Sequence, residues 1–252
     1  MAEHAHVSWW MYAVLLAAGV GGGLVGAVGG VASLVSYPVL LAVGLPPVTA
    51  NVTNSVGLVF SSIGSVAGSR TELTGQAPRI RWLAWAAVAG GVAGGALLLL
   101  APAKSFELVV PWLIAVASAA ILLPRRPSGT DRHHGLALTG GVTLIGIYSG
   151  YFGAAAGIMM LALLLYLTPE TFARGNAMKN VLVGSANAVA AVAYALFGPV
   201  DWPAIVPLGI GGFIGGALGP VIVRRSPPEA MRLLIAVLGL ALAVTLGWRA
   251  YR

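Results

Sequence analysis

The sequence lacks cysteine and has very few charged residues. Only 8% of its 252 residues are Asp, Glu, Lys or Arg, and 58% are hydrophobic, whereas a soluble domain usually has about a quarter charged residues. The missing cysteine excludes a disulfide scaffold, the apolar content excludes a disordered chain, and glycine without a period of three excludes collagen. Because so little charge cannot cover a surface that faces water, the composition predicts an integral membrane protein.

Acidic residues and histidines are also missing from the apolar part of the chain. All of them are placed in loops or at helix ends: Glu3, Glu72, Glu107, Asp131, Glu170, Asp201, Glu229, His4, His6, His133 and His134. A buried group of this kind would be needed to hold a transition metal, to relay protons or to act as the base of an intramembrane hydrolase. We therefore expect no metal, no cofactor and no enzymatic activity.

The net charge of +7 comes from Lys and Arg in short loops between apolar runs. Basic loops mark the cytoplasmic side of a membrane protein, so the charge indicates a multi-pass protein of the cell (inner or plasma) membrane and not a partner of nucleic acid. The first residues, MAEHAH, lack the basic region of a signal peptide. We expect the first apolar run to be part of the fold.

Eight apolar runs predict the helices: 11–44, 48–68, 82–101, 106–123, 136–167, 177–198, 203–223 and 230–248. Six of them have a length near the roughly 20 residues that cross a bilayer. The first and fifth, with 34 and 32 residues, are too long for one helix and too short for two. Both are rich in glycine near their centres, so each is predicted to bend or break in mid-membrane.

The two long runs begin two halves of the chain that align with each other. Gly26 and Gly30 match Gly153 and Gly157, the segment from Ala50 matches that from Ala173, and the run GGVAGGA from 90 matches GGFIGGA from 211. The last pair is typical of close helix packing. We predict an all-α polytopic protein with a tail at 1–10, repeats at 11–123 and 136–248, and a linker at 124–135. Each repeat has a broken or re-entrant first helix followed by three transmembrane helices.

The distribution of basic residues distinguishes between two topologies. If the long runs cross in the ordinary way, eight basic residues lie on one side of the membrane and six on the other. If each long run returns as a hairpin, the count is eleven against three. The positive-inside rule favours the second arrangement, which has two re-entrant hairpins and six full crossings. Each half then crosses an odd number of times, so the repeats are predicted to be inverted.

Two polar segments, one after each long run, carry the candidate binding site. They place amide and hydroxyl groups at predicted helix starts, where unpaired backbone N–H groups and the positive end of the helix dipole favour anions. The glycine breaks would supply further helix ends. The predicted substrate-binding residues are Asn51, Thr53, Asn54, Ser55, Gly29, Gly30, Gly157, Arg174, Asn176, Lys179 and Asn180. The residues predicted to line a path deeper on the same helices are Ser61, Ser62, Ser65, Ser185 and Asn187.

Structural roles are the alternative for these residues. Asparagine and threonine at such positions also cap helices or form hydrogen bonds between helices. Arg174 and Lys179 are also compatible with side chains that reach the lipid headgroups.

Several motifs of the chain occur in the order found in one known family. The glycine-rich start ends in Tyr37-Pro38-Val39-Leu40, and Gly44-Leu45-Pro46 and Ala50-x-x-Thr53-Asn54-Ser55 follow; the second half has Phe197-Gly-Pro-Val-Asp-Trp before its glycine pairs. From about residue 12 to 247 the sequence resembles the TauE/SafE family of sulfite exporters and probable membrane transporters.

The resemblance implies a secondary transporter of sulfite, a sulfonate or a related organosulfur anion, working by alternating access, with export as the expected direction. Its partners would be a small anionic substrate and the lipid bilayer, and a homodimer stays open. An anion channel and a non-transporting membrane scaffold or assembly factor are the alternative functions.

Overall fold

A computed structural model describes residues 9–102, 135–154 and 156–223, together with the single positions 112, 115, 225, 227, 233, 237, 240, 241, 244 and 248. In these parts of the chain the regular elements are helices and no strand occurs. The predicted N-terminal tail, the run 106–123, the linker and the run 230–248 lie almost entirely outside the described residues.

The helices follow the predicted apolar runs, and both long runs are broken. Residues 11–44 form the first two helices, and residues 136–167 form the sixth and seventh. The described helices are α1 (Trp9–Gly29), α2 (Ala32–Ala42), α3 (Pro47–Gly68), α4 (Arg70–Leu73), α5 (Ala77–Leu100), α6 (Gly135–Tyr151), α7 (Ala156–Leu167), α8 (Phe172–Phe197) and α9 (Trp202–Val223).

Each broken run folds back on itself as a hairpin. Gly22 of α1 faces Ser36 of α2, and Gly26 faces Ala32, so the two helices are antiparallel. The first hairpin turns at Gly30 with a φ of 74°, and the second turns at Gly153 with a φ of 75°. A side chain would destabilise this left-handed conformation by about 1–2 kcal/mol, which explains glycine at both turns. The shared conformation pairs Gly30 with Gly153, whereas the sequence alignment paired it with Gly157.

The glycine pairs of α5 are packing faces. Gly90 and Gly94 lie against the backbone of α6, and Gly91 lies against the backbone of α8 at Ala186. A Cβ at any of these three glycines would overlap the neighbouring backbone. The predicted role of this run in close helix packing is therefore confirmed.

The glycine pairs of α9 are also packing faces, on the other side of the bundle. Gly211 and Gly215 lie against α1 at Leu16 and Val20, and Gly216 lies against α3 at Ser61. Consequently α9 packs between α1 and α3, whereas α5 packs between α6 and α8. In the first half, α5 follows the hairpin and the long helix α3; in the second half, α9 follows the hairpin and the long helix α8. Each of these two helices packs on the other half, so the two halves interlock.

The long helices α3 and α8 cross between these groups and run antiparallel. Near their middles, Gly184 of α8 lies against Ser62 of α3. The backbone N–H of Asp201, just after α8, donates to Thr53 Oγ1 near the start of α3 at 2.9 Å. Arg174, near the start of α8, donates to the carbonyl of Thr74, beyond the end of α3, at 3.3 Å.

Four of the described helices are long and apolar enough to cross a membrane: Trp9–Gly29, Ala77–Leu100, Phe172–Phe197 and Trp202–Ile222. Large apolar side chains such as Trp82, Trp85, Leu144 and Phe197 are exposed on the outside of the bundle, as expected for contact with lipid. Because α1 is itself long enough for a full crossing, its length does not distinguish a re-entrant hairpin from a crossing helix. The re-entrant topology therefore stays a prediction.

Candidate functional site

The turns of the two hairpins meet and form one wall of a polar cavity. A Cβ on Gly30 would overlap Gly157 Cα, so the turns are in backbone contact. The cavity has a volume of about 50 Å³, which is room for roughly three to five water-sized groups. Both hairpins, α3 and α8 line it, through Gly26, Gly30, Ala32, Ser33, Leu58, Ser61, Ser62, Ser65, Gly153, Gly157, Lys179, Asn180, Val183 and Asn187.

The polar side chains of this cavity are basic or neutral. Lys179 is the one ionisable side chain among the described lining residues, and the other polar side chains there are serines and asparagines. In the described part of the chain, no cluster of three His, Cys, Asp or Glu side chains that could hold a metal ion is found. The cavity wall therefore offers hydrogen-bond donors and one cation, with no carboxylate to repel an anion.

Lys179 is held by backbone carbonyl groups of the first hairpin. Its side chain is buried, with the residue 1% exposed, and Nζ donates to the carbonyls of Gly26 at 3.0 Å and Ala27 at 3.3 Å. These carbonyls belong to the last turn of α1, where the helix dipole is negative. Since an ammonium group has three N–H donors, one donor remains for a ligand in the cavity.

Asn180 provides a second donor in the cavity. The residue is 6% exposed, and its buried Nδ2 has no hydrogen-bond partner. An unpaired buried donor costs about 1–3 kcal/mol, so a bound acceptor would relieve this cost. The geometry therefore suits a ligand that presents oxygen acceptors.

The starts of the two short helices also reach the cavity. Ala32 and Ser33 form the first turn of α2, and Gly157 lies in the first turn of α7. No side-chain hydrogen bond caps the start of α2. Free N–H groups at a helix start bind anions, so the breaks predicted from the glycine-rich runs place helix ends where the cavity lies.

Of the predicted binding residues, Gly30, Gly157, Lys179 and Asn180 come together at this cavity. The predicted path residues Ser61, Ser62, Ser65 and Asn187 line it as well, whereas Ser185 donates to the carbonyl of Val181 and is not among the lining residues.

One polar side chain of the described lining was missed by the sequence analysis. Ser33 lies in the cavity wall on α2. Serine in a glycine-rich run is also an ordinary packing residue, so its type gave no signal. The spacing to Ser36, which places two hydroxyl groups on one face of α2, was the available indication.

The other predicted amides and hydroxyls form hydrogen bonds between helices. Asn51 Nδ2 donates to the carbonyl of Tyr151 at 3.1 Å. Asn54 Nδ2 donates to Ser33 Oγ at 3.0 Å, and Asn54 Oδ1 accepts from Ser36 Oγ at 2.5 Å. These contacts correspond to the structural alternative, although Asn54 fixes a serine that lines the cavity.

The remaining predicted residues also lie outside the cavity lining. Thr53 accepts from the backbone of Asp201, and Asn176 Nδ2 donates to the carbonyl of Ala27 at 2.9 Å. Gly29 and Ser55 are buried and do not line the cavity.

Arg174 belongs to a separate cluster of charges. Its side chain is 37% exposed and pairs with Glu170 at 2.8 Å, and Glu170 also pairs with Arg79 at 2.8 Å. Arg174 does not line the cavity.

A bundle of apolar helices around a polar cavity defines an integral membrane protein with an internal polar cavity. Comparison with known proteins identifies the family: residues 14–246 match the family model described as "Sulfite exporter TauE/SafE". The chain belongs to this family of membrane transporters.

Relatives of the chain match it over nearly its whole length. The "Probable membrane transporter protein ORF9" of Sinorhizobium sp is 24% identical, over 95% of this chain and 94% of its own. The "Probable membrane transporter protein YfcA" of Escherichia coli (strain K12) is 24% identical, over 89% and 85%. A "Probable membrane transporter protein" of Xylella fastidiosa is 26% identical, over 91% and 94%. No solved structure matches the chain.

Proposed function

We propose that this protein is a secondary transporter of small sulfur-containing oxyanions, which exports sulfite, a sulfonate or a related organosulfur anion across the cell inner membrane. The observation that carries the proposal is the pair of neighbouring donors in the cavity: the buried ammonium of Lys179 and the unpaired amide N–H of Asn180. The family description supplies the sulfur chemistry.

The bound anion would replace solvent in the cavity. Its oxygens would accept from Lys179 Nζ, from Asn180 Nδ2 and from the hydroxyls of Ser33 and Ser61. Hydrogen bonds with a charged partner are about twice as strong as neutral ones. A sulfite group, with three oxygens around one sulfur, matches a volume of about 50 Å³.

Inverted repeats and alternating access are part of the proposal. Three observations support them: the two hairpins turn at glycines of the same conformation, α3 and α8 run antiparallel, and α5 and α9 have matched packing partners. In carriers built from inverted repeats the substrate binds where the repeats meet, and rocking of one part against the other opens the site to either side. We place the hairpins as re-entrant elements on the strength of the basic-residue count.

Counterflow of sulfite in proteoliposomes tests the function. We expect saturable uptake that internal sulfite stimulates, and strong loss of uptake in Lys179→Met. The matched control is Arg81→Met, which removes an exposed cation and leaves uptake intact. Flux that does not saturate would favour a channel. Absence of both flux and binding for sulfite and sulfonates would contradict the proposal and favour a scaffold.

A further inference from the structure

Among the described residues that line the cavity, Lys179 is the single ionisable side chain, and this limits the charge of the ligand. We infer that the site selects a singly charged oxyanion over a doubly charged one of the same size. This inference rests on the proposed function. It names the ionic form of the substrate, which neither the family description nor the relatives specify.

The helix ends at the cavity cancel one another. The first hairpin brings the end of α1 (Gly29) and the start of α2 (Ala32) to one turn, and the second does the same with α6 (Tyr151) and α7 (Ala156). A helix start carries about +0.5 and a helix end about −0.5 elementary charge. Each hairpin turn therefore contributes dipoles of opposite sign and almost no net charge.

Neither of the other two walls contributes a helix start. Ser61 belongs to an interior turn of α3, and Lys179 and Val183 belong to interior turns of α8. Ser65 lies in the last turn of α3, where the helix dipole is negative, so this wall adds no positive charge. Since the remaining polar side chains of the described lining are neutral, Lys179 supplies the single unit of charge. The nearby cation Arg174 pairs with Glu170 and does not line the cavity.

One cation can balance one negative charge in a site that excludes water. A second charge on the ligand would be desolvated without a partner, which is strongly unfavourable in a low-dielectric interior. The Asn180 amide and the serine hydroxyls can bind the oxygens of either ion, so they do not offset this difference. A sulfonate or a protonated sulfite fits the charge of the site, and sulfate does not.

Methanesulfonate and sulfate form a matched pair for the test, because both have four heavy atoms around a tetrahedral sulfur and they differ by one charge. Binding to the purified full-length protein is measured calorimetrically at constant ionic strength, with perchlorate as the control for the methyl group. We expect methanesulfonate and perchlorate to bind at least about tenfold more tightly than sulfate. Lys179→Met should weaken methanesulfonate binding by at least about tenfold, and Arg81→Met should not change it.

A second cation in the wall should shift the preference. Val183→Lys adds a second ammonium group one helical turn from Lys179. If this variant does not fold, Asn187→Lys adds an ammonium group to the same cavity. We expect either variant to raise the affinity for sulfate relative to methanesulfonate by about tenfold.

Two outcomes separate this inference from the proposed function. If sulfite binds and sulfate binds as tightly as methanesulfonate in the unmodified protein, the inference is wrong and the transporter proposal stands. If sulfite, methanesulfonate and sulfate all fail to bind, the proposed function fails, and the inference fails with it.

Discussion

The two hairpin turns have the same backbone conformation but different hydrogen-bond donors. In the first, the last carbonyls of α1 accept from the amide of Asn176 and the ammonium of Lys179. In the second, the carbonyl of Tyr151 accepts from the amide of Asn51, and that of Gly150 accepts from the hydroxyl of Tyr194. The two halves of the chain therefore have two similar turns, and among the described residues a lysine ammonium group binds to the first turn and none to the second.

This difference shows how two similar hairpins can contribute different groups to one candidate site. The polar segments that begin α3 and α8 look alike in sequence, yet the amides of Asn51 and Asn54 are donors to other helices, whereas Lys179 and Asn180 face the cavity. Polar side chains within apolar helices become binding groups where a cavity lies opposite them and their donors are not already used.

Contact between the turns should be the feature most sensitive to mutation. Gly30→Ala adds a Cβ that overlaps Gly157, and we expect a loss of about 2–5 kcal/mol, from about 1–3 for overpacking and about 1–2 for the left-handed conformation. Thermal unfolding in detergent, followed by tryptophan fluorescence, measures the loss.

Gly44→Ala is the matched control, because Gly44 has a φ of 96° and a Cβ there meets nothing within 4 Å. It should lose only the conformational part, about 1–2 kcal/mol. Equal losses in the two variants would show that the two turns are not in contact.

The first hairpin should depend on its side-chain hydrogen bonds more than the second. Asn54→Leu removes the bonds to Ser33 and Ser36, for which we expect a loss of about 2–4 kcal/mol. Asn187→Leu removes the bond from Ser149 in α6, with an expected loss of about 1 kcal/mol. Unfolding temperatures in the opposite order would contradict this comparison of the hairpins.

The sequence predicts where the chain breaks better than it predicts which residues bind. A run of 34 residues is incompatible with a single crossing, so the break near Gly30 follows from length and glycine content. The packing faces of α5 and α9 follow from glycine spacing in the same way. These features depend on local sequence and on the thickness of the bilayer.

The binding groups could not be separated from structural ones in this way. Asn51 and Asn180 are the same residue type in similar segments, and their difference depends on what lies opposite. The partner of Asn51 is the carbonyl of Tyr151, 100 residues away along the chain. Only the packing of the two halves determines that Asn51 meets this carbonyl and that Asn180 meets a cavity.

Asn180 should therefore matter for binding and not for stability. Asn180→Leu removes a donor that has no partner in the protein, so we expect unchanged or higher stability and a loss of sulfite affinity of roughly tenfold, or about 1.4 kcal/mol. Asn51→Leu is the matched substitution in α3, with the reverse expectation of lower stability and little change in affinity. Calorimetric titration and thermal unfolding of both variants test the contrast, and a stability loss in Asn180→Leu would show that its amide has a structural partner.

The smallest effect is expected at Arg174, the second cation of the same segment. Arg174→Gln removes the cation of an ion pair whose two side chains are partly exposed. Such pairs contribute about 1 kcal/mol or less to folding stability. Because Arg174 pairs with Glu170 and does not line the cavity, sulfite affinity should stay within about twofold, whereas Lys179→Gln should lower it at least about tenfold. Calorimetric titration of the two variants in the same buffer compares these positions directly. A similar loss of affinity at both would show that the anion also contacts Arg174, and that the charge of the site is not confined to the first hairpin turn.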